Sequence, residues 1–496
     1  MKLKHWYISI FVALIAMGCS KDDDNNKSSD DLNVSEEIFY ANHFAKTTLE
    51  EIYLWNKEIA DDLENIDPYT NEDPITTVEE VRYKQGGKEV DKWTTLTDNV
   101  ASLNSSMQGV STTYGYRLML GKFSNTDGYF FVVAFVYNNS PAQEAGIKRG
   151  DIIVTLNGKE ITDENYLDAV YEPNLTLGMA KRTDKGIVAT KEISVSARNM
   201  YCDPILAHKV FDIDGKKVGY LAFTDFDLQS IEDLIDICKS FKAAGVKELI
   251  LDMRYNGGGY VYTEEILASM LAPISVVRNG EIYQTEIWND DYMAYFKQNN
   301  IDRTLYFKTL HRGTLNGKEL TYSTADANIG LEKIYALISS GTASASEGII
   351  VGLMPYMNIE LIGKNSSGKY CTGSIFQPKD IYKKAPDAIS NWGIYVMVNR
   401  YGDKDGKNPC MPDGLVPNFT ANDDPMDGCP LGDEHEVLLN IALQHAGMKF
   451  DKETTRTHTY PDVELSMIDT NPLSGKRIQL NMAIPTIVSM PTTTGK

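Results

Sequence analysis

Several things are scarce or missing in this 496-residue chain. No two cysteines stand as Cys-x-x-Cys, so nothing supports a zinc ribbon or a dithiol redox centre. The seven histidines are scattered, and none forms the His-x-x-x-His pair of a helical zinc site. The acidic stretches Asp403-Lys404-Asp405-Gly406 and Asp423-Asp424 lack the spacing of a calcium-binding EF-hand loop and read as solvated acidic loops. No metal or cofactor is therefore expected. Positive charge is in deficit, with 48 basic against 69 acidic residues and a formal net charge of −21. Such a surface repels phosphate backbones, so nucleic acid is not expected as a partner. Internal repeats are absent too. What remains is ordinary globular composition, 42% hydrophobic and 24% charged, in a chain long enough for two to four domains.

The N-terminus starts basic, at Lys2 and Lys4, and continues in an apolar run from Trp6 to Met17. The run falls short of the ~20 residues that span a bilayer and reads as a signal peptide. It ends Ile15-Ala16-Met17-Gly18-Cys19, which resembles a bacterial lipoprotein signal, with Cys19 the lipidated residue. The polar stretch Ser20 to Asn26 suits a flexible tether. It also resembles the acidic signal that sends some Gram-negative lipoproteins to the outer surface. The expectation is an exported lipoprotein of a Gram-negative outer membrane, on its periplasmic face or the cell surface. In that compartment disulfides can form. Cys410 and Cys429 are the best candidate pair, while Cys238 reads as a core thiol on a helix.

After a leader (1–18) and tether (19–34), helix-spaced apolar residues Ile38, Phe39, Phe44, Leu49 and Ile52 predict a small helical domain over 35–107. Short strands then take over. Tyr129 to Val136 is apolar and β-branched. Ser140-Pro141-Ala142-Gln143-Glu144-Ala145-Gly146-Ile147 leads to Gly150-Asp151, then to a strand ending Asn157-Gly158. This order resembles the central block of bacterial PDZ domains and predicts one over 108–198. The resemblance implies that an extended peptide adds to a sheet edge, its carboxylate captured near Tyr114, Gly115 and Tyr116. From 199 to 448 strands and helices alternate: Val218–Phe223, a helix with Ile231, Leu234, Cys238 and Phe241 on one face, then Glu248–Met253. This pattern predicts an α/β domain with a partly parallel sheet. The polar, Pro/Thr-rich residues 449–496 read as a loose tail.

Two segments stand out. In Asp252-Met253-Arg254-Tyr255-Asn256-Gly257-Gly258-Gly259 a buried strand runs into three glycines, which is either a flexible turn or a close backbone approach. In Gly341-Thr342-Ala343-Ser344-Ala345-Ser346-Glu347-Gly348 a strand leads through small residues into an apolar helix. That is either a serine-rich helix cap or a hydroxyl exposed at the unpaired N–H groups of a helix start. A third segment, Lys364 to Tyr370, follows the strand Ile359–Ile362.

Together the three resemble the carboxyl-terminal processing (tail-specific) serine peptidases, relatives of the tricorn core. Met411-Pro412-Asp413-Gly414-Leu415-Val416-Pro417 fits as well. The resemblance implies a multidomain α/β protein with a ClpP/crotonase-like protease core, a preceding or inserted PDZ-like domain and no cofactor. It makes Ser344 the nucleophile and Lys369, 25 residues on, the general base. It places the oxyanion hole at the Ala345 N–H and at a glycine of the triple, Gly258 in preference to Gly257. Protein or peptide substrates follow, with a catalytically weak peptide-binding lipoprotein as the alternative. A Ser–His–Asp arrangement through His208 or His311 stays open. One departure stands: the family's glutamine four residues after the lysine is here Gly373, which leaves Thr372 or Ser374 as candidates to orient Lys369.

Overall fold

The computed structural model describes residues 33–123, 128–183, 186–450, 465–468 and 477–480. The leader and Cys19 lie outside the described residues.

Helix α1 (Glu36–Glu51) starts at Ser35, whose Oγ accepts from the Ile38 N–H at 3.2 Å, and buries Phe39, Phe44 and Leu49. The short strand β1 (Thr95–Thr97) follows. This N-terminal region is not a domain of its own, contrary to expectation. Its apolar residues share one core with Phe376, Ile394, Val396 and Val398 of the protease region, because its helix alone leaves too much apolar face uncovered.

The PDZ-like domain is an antiparallel sheet of β2 (Tyr116–Lys122), β3 (Tyr129–Val136), β4 (Ile152–Leu156), β5 (Asn174–Thr183) and β6 (Gly186–Ser196), in the spatial order β6-β5-β4-β3-β2. Asn157 and Gly158, with φ of 51° and 75°, turn β4 back on itself as an Asn-Gly hairpin does.

The α/β domain comprises β7 (Ile205–Ile213), β8 (Lys216–Phe223), α2 (Ile231–Ala243), β9 (Glu248–Asp252), β10 (Gly259–Tyr260), α3 (Val261–Leu271), β11 (Ile282–Trp288), β12 (Lys333–Ile338), α4 (Ala345–Leu353), β13 (Asn358–Gly363), β14 (Cys371–Phe376), β15 (Gly393–Gly402), β16 (Phe419–Thr420) and α5 (Val437–His445). The main sheet runs β7-β8-β9-β12-β13-β16, parallel from β8 onward. Parallel strands buried on both faces read as continuous apolar runs. In β9, Leu249 and Leu251 face the core under α2, α3 and α4, while Ile250 faces the one under α5. A second sheet is built on β15, which pairs with β14, β11 and β1.

Two expectations fail here. The five described cysteines are all free, so Cys410 and Cys429 form no disulfide: Cys410 is buried in the core and Cys429 is half-buried. The tail is not uniformly loose either. β17 (Leu465–Met467) pairs with β2, and β18 (Arg477–Ile478) lies between β10 and β14.

Candidate functional site

Three loops leave the C-terminal ends of the adjacent parallel strands β9, β12 and β13, and they carry the three singled-out segments to one place. The crevice at such strand ends is where α/β sheets bind ligands.

Ser344 sits between β12 and α4 with φ 69° and ψ −118°, a conformation that costs a non-glycine residue on the order of 1–3 kcal/mol. Its neighbours over-determine it. The Ala343 N–H donates to Asn256 O at 3.1 Å, the Ser346 Oγ donates to the same carbonyl at 3.0 Å, and the Thr342 Oγ1 donates to Met253 O at 2.8 Å. Ser344 is wholly buried, and its Oγ has no hydrogen-bond partner among the described residues. No described histidine therefore completes a triad. His208 lies exposed on β7, and burial pushes the His311 imidazole down to about 3.

Gly258 explains the triple glycine. A Cβ there would stand 2.6 Å from the Ser344 Cβ, and its φ is 109°. Its N–H, which the resemblance offered as an oxyanion donor, instead donates to Asn256 Oδ1 at 2.9 Å. The Gly257 N–H has no acceptor among the described residues. Ala345 opens α4, so its N–H belongs to the first turn, which has no acceptor within the helix.

Lys369 is wholly buried in the loop before β14. Its Nζ donates to Tyr395 Oη at 3.1 Å and lies 4.9 Å from the ring centre of Trp93. It is not hydrogen-bonded to the Ser344 Oγ, so the pair is open in this conformation. Gly373, where a glutamine was expected, is what admits Tyr395: a Cβ at 373 would stand 2.4 Å from the Tyr395 Cζ. One partner of the lysine thus comes from β15 across the sheet. Removing that hydroxyl in Tyr395→Phe costs one hydrogen bond, about 1.4 kcal/mol, or about tenfold. The expected result is a kcat about tenfold lower with KM little changed, and a melting temperature a few degrees lower because a buried hydrogen bond is lost. Unaltered kcat would show that Tyr395 does not position the lysine.

Glu347, in the first turn of α4, braces two of these loops. Its buried carboxylate accepts from the Ser344 N–H at 2.8 Å, the Gly368 N–H at 2.7 Å, the Lys369 N–H at 2.9 Å and the Ser366 hydroxyl at 2.5 Å. One side chain thus fixes the backbones of both loops. Burial raises its pKa, and these four donors oppose the rise.

The PDZ-like residues Tyr114 and Tyr116 lie in that domain's core, rings stacked at 5.3 Å, and their hydroxyls bond the carbonyls of Glu172 and Ala169. The Gly115 N–H donates to Thr113 Oγ1. The loop's side chains are thus structural, and the edge of β2 beside it is paired with β17. Asp423 is not solvated. It accepts from Arg149 of the PDZ-like domain at 2.7 Å and from Arg254 at 2.8 Å, in a buried cluster with Glu436 and Asp252. Burial would raise the Asp423 carboxyl, but the two guanidinium groups outweigh it and hold it well below the usual range. The cluster pins the PDZ-like domain to the α/β domain.

Residues 217–421 match the model of Peptidase family S41, and residues 132–174 match that of the PDZ domain. The chain is similar to two Bacillus subtilis proteins. One is the carboxy-terminal processing protease CtpB, 23% identical over 54% of this chain and 48% of the relative. The other is CtpA, 25% identical over 49% and 45%. The chain spans about half the length of these curated relatives. A solved structure described as an S41 protease from Bacteroides fragilis shares the fold, with a TM-score of 0.61 at 23% identity over 81% of this chain and 96% of that one.

Proposed function

We propose, from the membership of residues 217–421 in peptidase family S41 and of residues 132–174 among PDZ domains, that this chain is a serine endopeptidase working through Ser344 and Lys369. What carries the reading is the corner at Ser344: a buried, unpartnered hydroxyl on a strained backbone, tied through Glu347 to the lysine's loop.

A neutral Lys369 amine takes the Ser344 Oγ proton as Oγ attacks the substrate carbonyl. The oxyanion forms at the Ala345 and Gly257 amides, each donor worth about 3–4 kcal/mol. The proton then passes to the leaving amine, the C–N bond breaks and an ester on Ser344 remains. Water, deprotonated by the same lysine, hydrolyses it. Because Nζ is bonded to Tyr395 and Oγ to nothing described, a small movement that closes the pair precedes attack. That open pair is also the one feature favouring the alternative, a peptide-binding lipoprotein with weak catalysis. Cleavage of casein and of an extended-peptide library by the native chain, Ser344→Ala and Lys369→Ala separates the two. Equal cleavage by all three removes the dyad assignment, and no cleavage by any of them leaves the binding role.

The chain is anchored by lipid at Cys19, a reading that rests on the signal-like residues before it. Cys19→Ala is expected to move the protein from the membrane fraction to the soluble one and to abolish incorporation of labelled palmitate in a Gram-negative host. Continued labelling would exclude Cys19.

A further inference from the structure

Two short pieces of the C-terminal segment occupy the edges that a peptidase would offer to a peptide. Leu465–Met467 runs antiparallel along β2, in the register Leu465 with Gly121 and Met467 with Met119, and the Ile468 N–H donates to Leu118 O at 3.1 Å. β2 is otherwise the edge strand of the PDZ-like sheet. The Ile468 side chain is buried in that domain's core.

Further on, β18 pairs in parallel with two strands at once. Arg477 aligns with Gly259 and Ile478 with Tyr260 of β10, while Ile478 also aligns with Gly373 of β14. β10 begins one residue after Gly258, and β14 begins two residues after Lys369. Since paired strands lie about 4.8 Å apart, β10 and β14 are separated by the width of one strand, a slot bordered by the two loops of the dyad. The Gln479 N–H extends the pairing to Gly373 O at 3.1 Å. Ile478 is buried against the protease core, and Leu480, two residues on, is half-buried against it.

We propose that Arg477–Leu480 is an intramolecular pseudosubstrate. The slot between β10 and β14 takes extended peptides with aliphatic residues two positions apart, and the chain's own segment holds it until a substrate displaces it. This rests on the peptidase reading for its meaning, but the occupancy can be measured without catalysis. A tethered competitor raises the apparent dissociation constant of any peptide by the factor by which it depletes the open state.

The test uses the full chain carrying Ser344→Ala, and a fluorescein-labelled peptide with the sequence of residues 463–484. Binding is read by anisotropy, with and without Ile478→Asp plus Leu480→Asp. The acidic pair is expected to bind the labelled peptide at least about tenfold more tightly, and a peptide with the same two acidic changes is expected not to compete. In the Ser344 background the pair lowers KM for an extended substrate with little change in kcat. Leu480→Asp alone, at the half-exposed position, is the second variant if the pair does not fold. Equal or weaker peptide binding by the variants overturns the proposal and makes β18 a structural strand. Tighter binding with no cleavage of any substrate by Ser344 chains leaves the proposal standing and removes the peptidase reading.

Discussion

Ser344→Ala is expected to lower kcat by at least about 10⁴-fold while leaving the melting temperature little changed. The two halves of that result come from different facts. The activity loss follows if Oγ is the attacking atom, since the rest of the machinery has no nucleophile to activate. The stability half follows from the hydroxyl's isolation. A serine that caps a helix accepts a backbone N–H, and replacing it with alanine costs about 1 kcal/mol. The Ser344 Oγ is buried and makes no well-formed hydrogen bond, only a loose capping approach to the Glu347 N–H, so its removal costs little. The bland reading of this serine as a full N-cap and its reading as nucleophile therefore differ in the size of a thermal shift as well as in activity. Lys369→Ala should lose comparable activity but also lose stability, because it empties the space beneath Trp93 and deprives Tyr395 of its bond. More than a tenth of native activity in Ser344→Ala, assayed on a peptide the native chain cleaves, would place the nucleophile elsewhere.

Much of the fold could be read from local pattern. The strand Tyr129–Val136 has the expected limits, and Val218–Phe223 and Glu248–Met253 fall within two residues of theirs, because apolar runs and helix spacing are set within a few turns of chain. The three loops of the site were also visible, since each is a short motif at the end of such a strand. What escaped was supplied by residues distant in sequence. Tyr395 reaches Lys369 only because β14 and β15 pair and Gly373 leaves the gap. A glycine where a long polar side chain was expected is itself a signal that a neighbouring strand fills the space. Trp93 comes from a region read as a separate domain. Asp423 looked solvated because the arginines that bury it, Arg149 and Arg254, lie 274 and 169 residues away. The tail looked loose by composition. Its Leu465-Ser466-Met467 and Ile478-Gln479-Leu480 triplets do alternate in the strand manner, over a stretch too short to read with assurance.

Glu347→Ala is expected to be the most damaging single change in the site, lowering both stability and activity. The carboxylate accepts four donors, three of them backbone N–H groups that no rotamer change can redirect. A buried donor left without an acceptor costs about 1–3 kcal/mol, so the loss is on the order of 4 kcal/mol or more, a large share of the 5–15 kcal/mol that holds a domain folded. Two of the donors are the backbones of Ser344 and Lys369, so whatever folds loses the mutual placement of nucleophile and base. Such misplacement by about 1 Å can cost on the order of 10²-fold in rate. Glu347→Gln separates the two consequences. It keeps the volume and one carbonyl oxygen but turns an NH₂ group toward at least one of the donors, so it should retain the fold with a melting temperature several degrees lower. Its kcat should fall by about 10²-fold, and KM should change far less because no substrate contact has been removed. Thermal unfolding and steady-state kinetics on the same preparation check both. If Glu347→Gln lost stability but kept native kcat, Glu347 would be a brace for the fold alone, and the alignment of Ser344 with Lys369 would have to come from Tyr401, whose hydroxyl donates to the carbonyls of Ser344 at 3.3 Å and of Lys369 at 2.8 Å.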